Sequence, residues 1–272
     1  MQNSKIQLRY LANCGVLADC GGGRILIDAL ASDDSCFDRI PPTAERMLLD
    51  GCPPYDRIAL LLYTHLHFDH FDLDKSVEFM ENHPETILML PSEAERLIPG
   101  TIRGRTVFMD GGDGALHTYT RGSFTVDYLL TKHITFSCPG HYCIRLTCGN
   151  TELIFTADMD FAQLPFAAER LGLSGGPGPG VNTGAPPRSR FLFFNPILLG
   201  REEWVREAAC WGAHGIYIYH IPAQVIDEHG YRKLALRRFE RYRDVLPGLK
   251  LLLDPMENVE LCSGTERDFT QN

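Results

Sequence analysis

The segment Thr64-His65-Leu66-His67-Phe68-Asp69-His70 constrains this chain more than any other. It follows an apolar run, Arg57 to Thr64, that suits a strand buried on both faces. On an extended chain, residues i and i+2 point the same way. His65 and His67 can therefore share one cation, and a turn after them presents Asp69 and His70 to a second. Imidazole and carboxylate are donors for zinc, manganese and iron alike. A single histidine is usually a packing or surface residue. Three imidazoles and a carboxylate within six residues, at the end of a buried strand, predict a metal centre.

The surrounding pattern is mixed. Lys5 to Leu11, Val16 to Cys20 and Arg24 to Asp28 read as strands, the last two joined by a hairpin turn at Gly21-Gly22-Gly23. That triplet lacks the residues of a phosphate loop. Thr43 to Leu49 and Asp72 to Asn82 read as helices, Thr86 to Leu90 as a strand, and Ser92 as the cap of a further helix. Arg105 to Thr156 is mostly strand, with alternation in Ser123 to Leu129 and His141 to Thr147. Phe191 to Phe194, Ile216 to Tyr219 and Leu251 to Leu253 read as strands, interleaved with helices Glu202 to Trp211 and Tyr231 to Val245. Two sheets packed together with helices outside them accommodate this order. Residues 1–272 are expected to form one domain, with a Gly/Pro-rich loop at 172–190.

Composition narrows the function. With 44% hydrophobic and 22% charged residues, disordered, collagen-like and coiled-coil readings drop out. No apolar run is long enough to span a membrane, and the first ten residues do not resemble a secretory leader. A net charge of −9 argues against broad nucleic-acid binding. The arginines of 232–243 read as a solvated helix face. Nine cysteines without a Cys-x-x-Cys pair are expected to be thiols, in a cytoplasmic protein.

His65-Leu66-His67-Phe68-Asp69-His70 matches HxHxDH, the signature of the metallo-β-lactamase superfamily, and the chain resembles that family over nearly its whole length. The opening strands, ending in Ile27-Asp28, are similar to the family's N-terminal strands. The resemblance implies an α+β fold, a four-layer αββα sandwich of two mixed β-sheets flanked by helices. It also implies a later His, then an Asp, then a final His. His133, Asp158 and His220 fit, each after an apolar run. By resemblance, His65, His67 and His133 hold one metal. Asp69, His70 and His220 hold the other, and Asp158 bridges them. His141 is the rival for the place of His133, although it begins a strand rather than ending one.

The expected cofactors are two divalent ions, zinc first, with manganese or iron as alternatives. Such a pair lowers the pKa of a shared water toward ~7 and supplies hydroxide at neutral pH. Asp69 and Asp158 are the catalytic carboxylates of this reading. The implied function is hydrolysis of an ester, lactone or phosphodiester of a small molecule, similar to the lactonase and phosphodiesterase branches. The alternative is a non-hydrolytic metal-binding or diiron redox protein on the same fold. Asp28 is a candidate to orient a ligand imidazole. Asn195 either faces the site or makes the turn before Pro196, and Asp160 reads as a loop residue. The stretches 31–54 and 172–190 are candidate lids, the second offering Arg188 and Arg190 to an anion.

Overall fold

In a computed structural model, residues 6–32, 36–135, 138, 140–173, 189–227 and 230–261 are described. Apolar residues, alternating in some strands and continuous in others, build the strands β1 (Gln7–Ala12), β2 (Gly15–Asp19), β3 (Arg24–Ile27), β4 (Ile58–Leu62), β5 (Ile87–Pro91) and β6 (Thr106–Met109). They continue as β7 (Leu116–Arg121), β8 (Phe124–Thr131), β9 (His141–Cys148), β10 (Thr151–Phe155), β11 (Ser189–Phe194) and β12 (Gly215–Ile218). Two short edge strands, β13 (Lys250–Leu251) and β14 (Asn258–Val259), complete the set among the described residues. One seven-stranded sheet runs β14-β1-β2-β3-β4-β5-β6, the other β13-β12-β11-β10-β9-β8-β7. Both are mixed. β3 to β6 are parallel, as are β10 to β13, and antiparallel pairs fill the rest.

The period of two decides the layers. Phe191 and Phe193 of β11 face the other sheet, while Leu192 and Phe194 face outward. Tyr142, Ile144 and Leu146 of β9 join them between the sheets, against Val16, Ile25, Ile27, Leu60 and Leu62. Helices α1 (Pro42–Leu49), α2 (Leu73–Asn82) and α3 (Gly100–Arg103) cover the outer face of the first sheet through Leu48, Phe79, Met80 and Ile102. Helices α4 (Leu164–Arg170), α5 (Glu202–Ala209) and α6 (Tyr231–Tyr242) cover the second through Leu164, Val205, Ala208 and Ala235. Each large apolar side chain so buried contributes roughly 1.5–3 kcal/mol. The result is the expected αββα sandwich. No helix among the described residues is long and apolar enough to cross a membrane.

The fold departs from the sequence reading in three places. Ser92 opens only a three-residue 3-10 turn, Ser92–Ala94, with Pro91 rather than Ser92 in the N-cap position. Cys20 and Cys148 are not thiols. They form a disulfide between the two sheets, with Cα atoms 5.9 Å apart and a sequence separation of 128. That separation is why no local spacing betrayed the pair. Residues 174–188 of the Gly/Pro-rich stretch, with Arg188, lie outside the described residues, whereas Ser189 and Arg190 already belong to β11.

Candidate metal centre

Every donor leaves the C-terminal end of a strand, at the edge where mixed sheets place their sites. Past β4, the amides of His70 and Phe71 both donate to the His67 carbonyl, at 2.9 and 2.8 Å. This turn is pinned beyond by Asp72, whose carboxylate caps α2 on the Lys75 amide at 2.9 Å. His133 follows β8, Asp158 follows β10, and His220 follows β12. The β8 and β10 ends are tied together, with the Ile134 amide on the Asp158 carbonyl and the Asp160 amide on the Lys132 carbonyl, each 2.8 Å. His220 sits at φ 57, a left-handed conformation that costs a non-glycine residue roughly 1–3 kcal/mol. Its amide donates to the Asn13 carbonyl at 3.0 Å, which holds it there.

The six other predicted donors converge on Asp158. His65, His67, His133 and Asp158 form one group of potential metal donors, with their atoms within 4.8 Å of one another, and Asp69, His70, Asp158 and His220 form a second. Asp158 Oδ2 lies 3.4 Å from His133 Nε2, 3.6 Å from His70 Nε2 and 3.9 Å from His65 Nε2. Its Oδ1 lies 3.0 Å from His220 Nε2. Asp69 Oδ2 approaches His220 Nε2 at 3.5 Å and His70 Nε2 at 3.9 Å.

Residues behind the donors orient them. Asp28, at φ 45, accepts from the Thr64 amide at 2.8 Å and the Thr64 hydroxyl at 2.6 Å, and meets His70 Nδ1 at 3.1 Å. His141 is fully buried. Its Nδ1 lies 2.8 Å from the Thr131 hydroxyl, and its Nε2 accepts from the Asp158 amide at 3.1 Å. Both ring nitrogens are thus occupied, so His141 steadies Asp158 from behind, whereas His133 belongs to the donor group. Asn195 takes both of its expected roles. Its amide nitrogen donates to Asp158 Oδ1 at 2.7 Å, and its oxygen accepts from the Ile197 amide at 3.1 Å. The Tyr219 hydroxyl accepts from the Ala157 amide at 3.1 Å and sets the turn before Asp158. Thr64 and Tyr219 carried no sequence signal beyond their places beside donors.

The protonation of two of the donors, His65 and Asp158, fits cation binding. Burial, with the neighbouring imidazoles His70, His141 and His133 adding to it, pushes His65 well below its ordinary value. Burial alone would raise the Asp158 carboxyl, but the surrounding imidazoles, His220 foremost, outweigh it and hold the group well below the usual carboxylate range. The cluster therefore pairs an ionised carboxylate with a neutral His65 imidazole. His65 Nε2 is buried without a hydrogen-bond partner among the described residues, although its Nδ1 meets the Thr64 hydroxyl at 3.1 Å. A buried polar nitrogen left so costs about 1–3 kcal/mol, and a metal ion would relieve that cost.

Other candidates lie elsewhere. Asp160 caps a short 3-10 turn through the Ala162 amide. His83 bonds to the Leu48 carbonyl, His117 to Asp113, and His214 to the Arg190 amide. Arg190 is not an anion contact, because it pairs with Glu152 at 2.9 Å and donates to the Trp211 carbonyl. His229 lies outside the described residues. From the 31–54 stretch, Phe37 packs against His220, with ring centroids 4.2 Å apart and planes tilted by 51°. A cavity of about 400 Å³ opens beside His133, with Leu130, Ile134 and Phe166 as its apolar wall and Lys132, Thr135 and Gln163 as polar groups. A larger cleft of about 560 Å³ lies around Gly22, Arg24, Asp56 and His83, at the opposite ends of the strands. None of the donors lines it, and Arg24 is paired there with Asp19 and Asp56.

No family model matches the sequence, and no curated protein matches it. Solved structures do match. The metallo-β-lactamase fold protein YhfI from Bacillus subtilis aligns at 15% identity and a TM-score of 0.58, over 93% of this chain and 99% of its own. Igni18, a metallo hydrolase from Ignicoccus hospitalis, aligns at 14% identity and a TM-score of 0.58, over 93% and 97%. CmlA, a diiron β-hydroxylase from Streptomyces venezuelae, aligns at 16% identity and a TM-score of 0.60, over 94% of this chain. The match spans 54% of CmlA, about half of that longer protein. The paired sheets, their flanking helices and these alignments agree that the chain has the metallo-β-lactamase fold.

Proposed function

We propose that the chain is a metal-dependent hydrolase of a small-molecule ester, lactone or phosphodiester. The observation that carries this is the convergence of two His/Asp donor groups on one buried carboxylate, Asp158. In this reading His65, His67 and His133 hold one divalent cation, Asp69, His70 and His220 hold a second, and Asp158 serves both. Zinc suits the donors first, with manganese and iron as alternatives. Two such ions would supply Lewis acidity and activated water, with no Ser or Cys nucleophile needed.

The chain's own residues do the rest. Asp28 holds the His70 ring through Nδ1, leaving Nε2 toward the carboxylates. Asn195 and His141 fix Asp158 from its side chain and its backbone. Asp69, with its carboxylate near His220, would help to hold the second cation and orient the attacking water. The cavity beside His133 is of a size for a small substrate. Its apolar wall would take a hydrocarbon portion of the substrate.

The test is turnover. The zinc-loaded chain should hydrolyse at least one member of an ester, lactone and phosphodiester panel. That activity should vanish with chelator, return with zinc, and be lost in a folded His67→Ala variant. Metal-loaded protein that turns over none of the panel would sink the hydrolase reading. The likeness to CmlA's fold keeps a diiron redox reading in play. Iron in the isolated protein, with visible absorbance and oxygen consumption, would favour it.

A further inference from the structure

Behind the second donor group lies a thiol. Cys14 sits in the turn between β1 and β2 and is fully buried. It forms a potential metal-binding group with His70 and His220, their donor atoms all within 4.8 Å of one another. These are the same two imidazoles that join Asp69 and Asp158 in the second group.

The turn that carries Cys14 is fastened to that group on both sides. The Asn13 carbonyl accepts from the His220 amide at 3.0 Å, and the Asn13 side-chain amide donates to the Asp69 carbonyl at 2.5 Å. Gly15 closes the turn where a Cβ would stand 3.0 Å from the Ala12 carbonyl oxygen and 3.2 Å from the Ala29 Cα. Backbone therefore approaches backbone too closely for the turn to drift. His220 approaches Asp69 and Asp158 through Nε2, and its other ring nitrogen, Nδ1, is buried without a hydrogen-bond partner among the described residues. Cys143 provides the contrast. It is equally buried but packs with Leu129, Ile154 and Leu192 on the outer face of its sheet, and it joins no donor group among the described residues.

We infer that Cys14 is the thiolate donor of a cation seat made with His70 and His220, beside the seat that Asp69 and Asp158 share with the same two imidazoles. The inference rests on the reading that the His/Asp groups hold metal. Imidazole and carboxylate alone suit hard and borderline cations alike, whereas a thiolate shifts the preference toward softer ones. This position thus takes zinc, cobalt(II) or iron(II) in preference to manganese or magnesium. On binding, the S–H bond is replaced by a sulfur–metal bond and the proton leaves to solvent.

Cobalt(II) tests this without reference to activity. Metal-free protein loaded with cobalt should show a thiolate-to-cobalt charge-transfer band in the near ultraviolet. The band should disappear in Cys14→Ser and persist in Cys143→Ser. In competition, Cys14→Ser should lose roughly tenfold of the wild-type preference for zinc over manganese. If the serine variant does not fold, Cys14→Ala gives the same comparison. Cobalt bound without the band, or a band that survives loss of Cys14, would overturn the inference while leaving the hydrolase reading intact. Failure to bind any cobalt would sink the metal reading and this inference together.

Discussion

The Asp28 carboxylate lies 3.1 Å from His70 Nδ1 while accepting both the amide and the hydroxyl of Thr64. One side chain thereby fixes the strand end and the ring that follows it. Asp28→Asn tolerates the left-handed backbone at φ 45 but removes the charge. It should weaken zinc binding by about 10–100-fold, as loss of a carboxylate behind a ligand imidazole does. Competition against a chelator measures this. Unchanged affinity in a folded variant would show that Asp28 only shapes the strand end.

His141 predicts a pH dependence for the metal-free protein. Burial first, and the neighbouring imidazoles His133, His70 and His67 after it, push its pKa down to about 3, although Asp158 pulls the other way. The unfolded chain takes up this proton near the ordinary value of 6.5. The stability that neutral His141 contributes is therefore complete above about 6.5 and is lost progressively as pH falls toward about 3. The lowered carboxyl of Asp158 adds a loss of the same sign. His141→Gln can still accept from the Asp158 amide but does not titrate. Denaturant melts of chelator-treated protein should show a shallower fall over this range in the variant. Equal slopes would contradict the buried, neutral imidazole.

The Cys20–Cys148 link predicts two fewer titratable thiols than the nine cysteines of the chain when it is unfolded without reductant. Because the bond closes a long loop, Cys148→Ala should cost about 2–5 kcal/mol of stability. A full complement of nine thiols would contradict the link.

The site and the fold were legible to different depths. His65, His67, Asp69 and His70 were readable because adjacent residues on a strand and its turn advertise their geometry in their spacing. His133, Asp158 and His220 came only through a family pattern, since spatial neighbours from three other strand ends share no local spacing. The choice between His133 and His141 turned on which end of a strand each occupies. The structure brings both rings beside His65, at centroid distances of 4.9 and 5.0 Å. What separates them is that the Asp158 amide already occupies His141 Nε2. Asn195 serves both turn and site because its amide side chain carries a donor and an acceptor end. Cys14 and the Cys20–Cys148 pair were invisible, because each depends on contacts between segments distant in sequence. The left-handed conformations of Asp28 and His220 were equally hidden, since neither is glycine.

The most direct test of the central claim is the metal content of the purified chain, by element, beside a His65→Ala, His70→Ala double variant. The account predicts about two divalent ions per chain, as a two-metal site requires, and their loss in a variant that keeps its fold. A folded wild-type chain that takes up no metal, even after supplementation with zinc, manganese and iron, would contradict it.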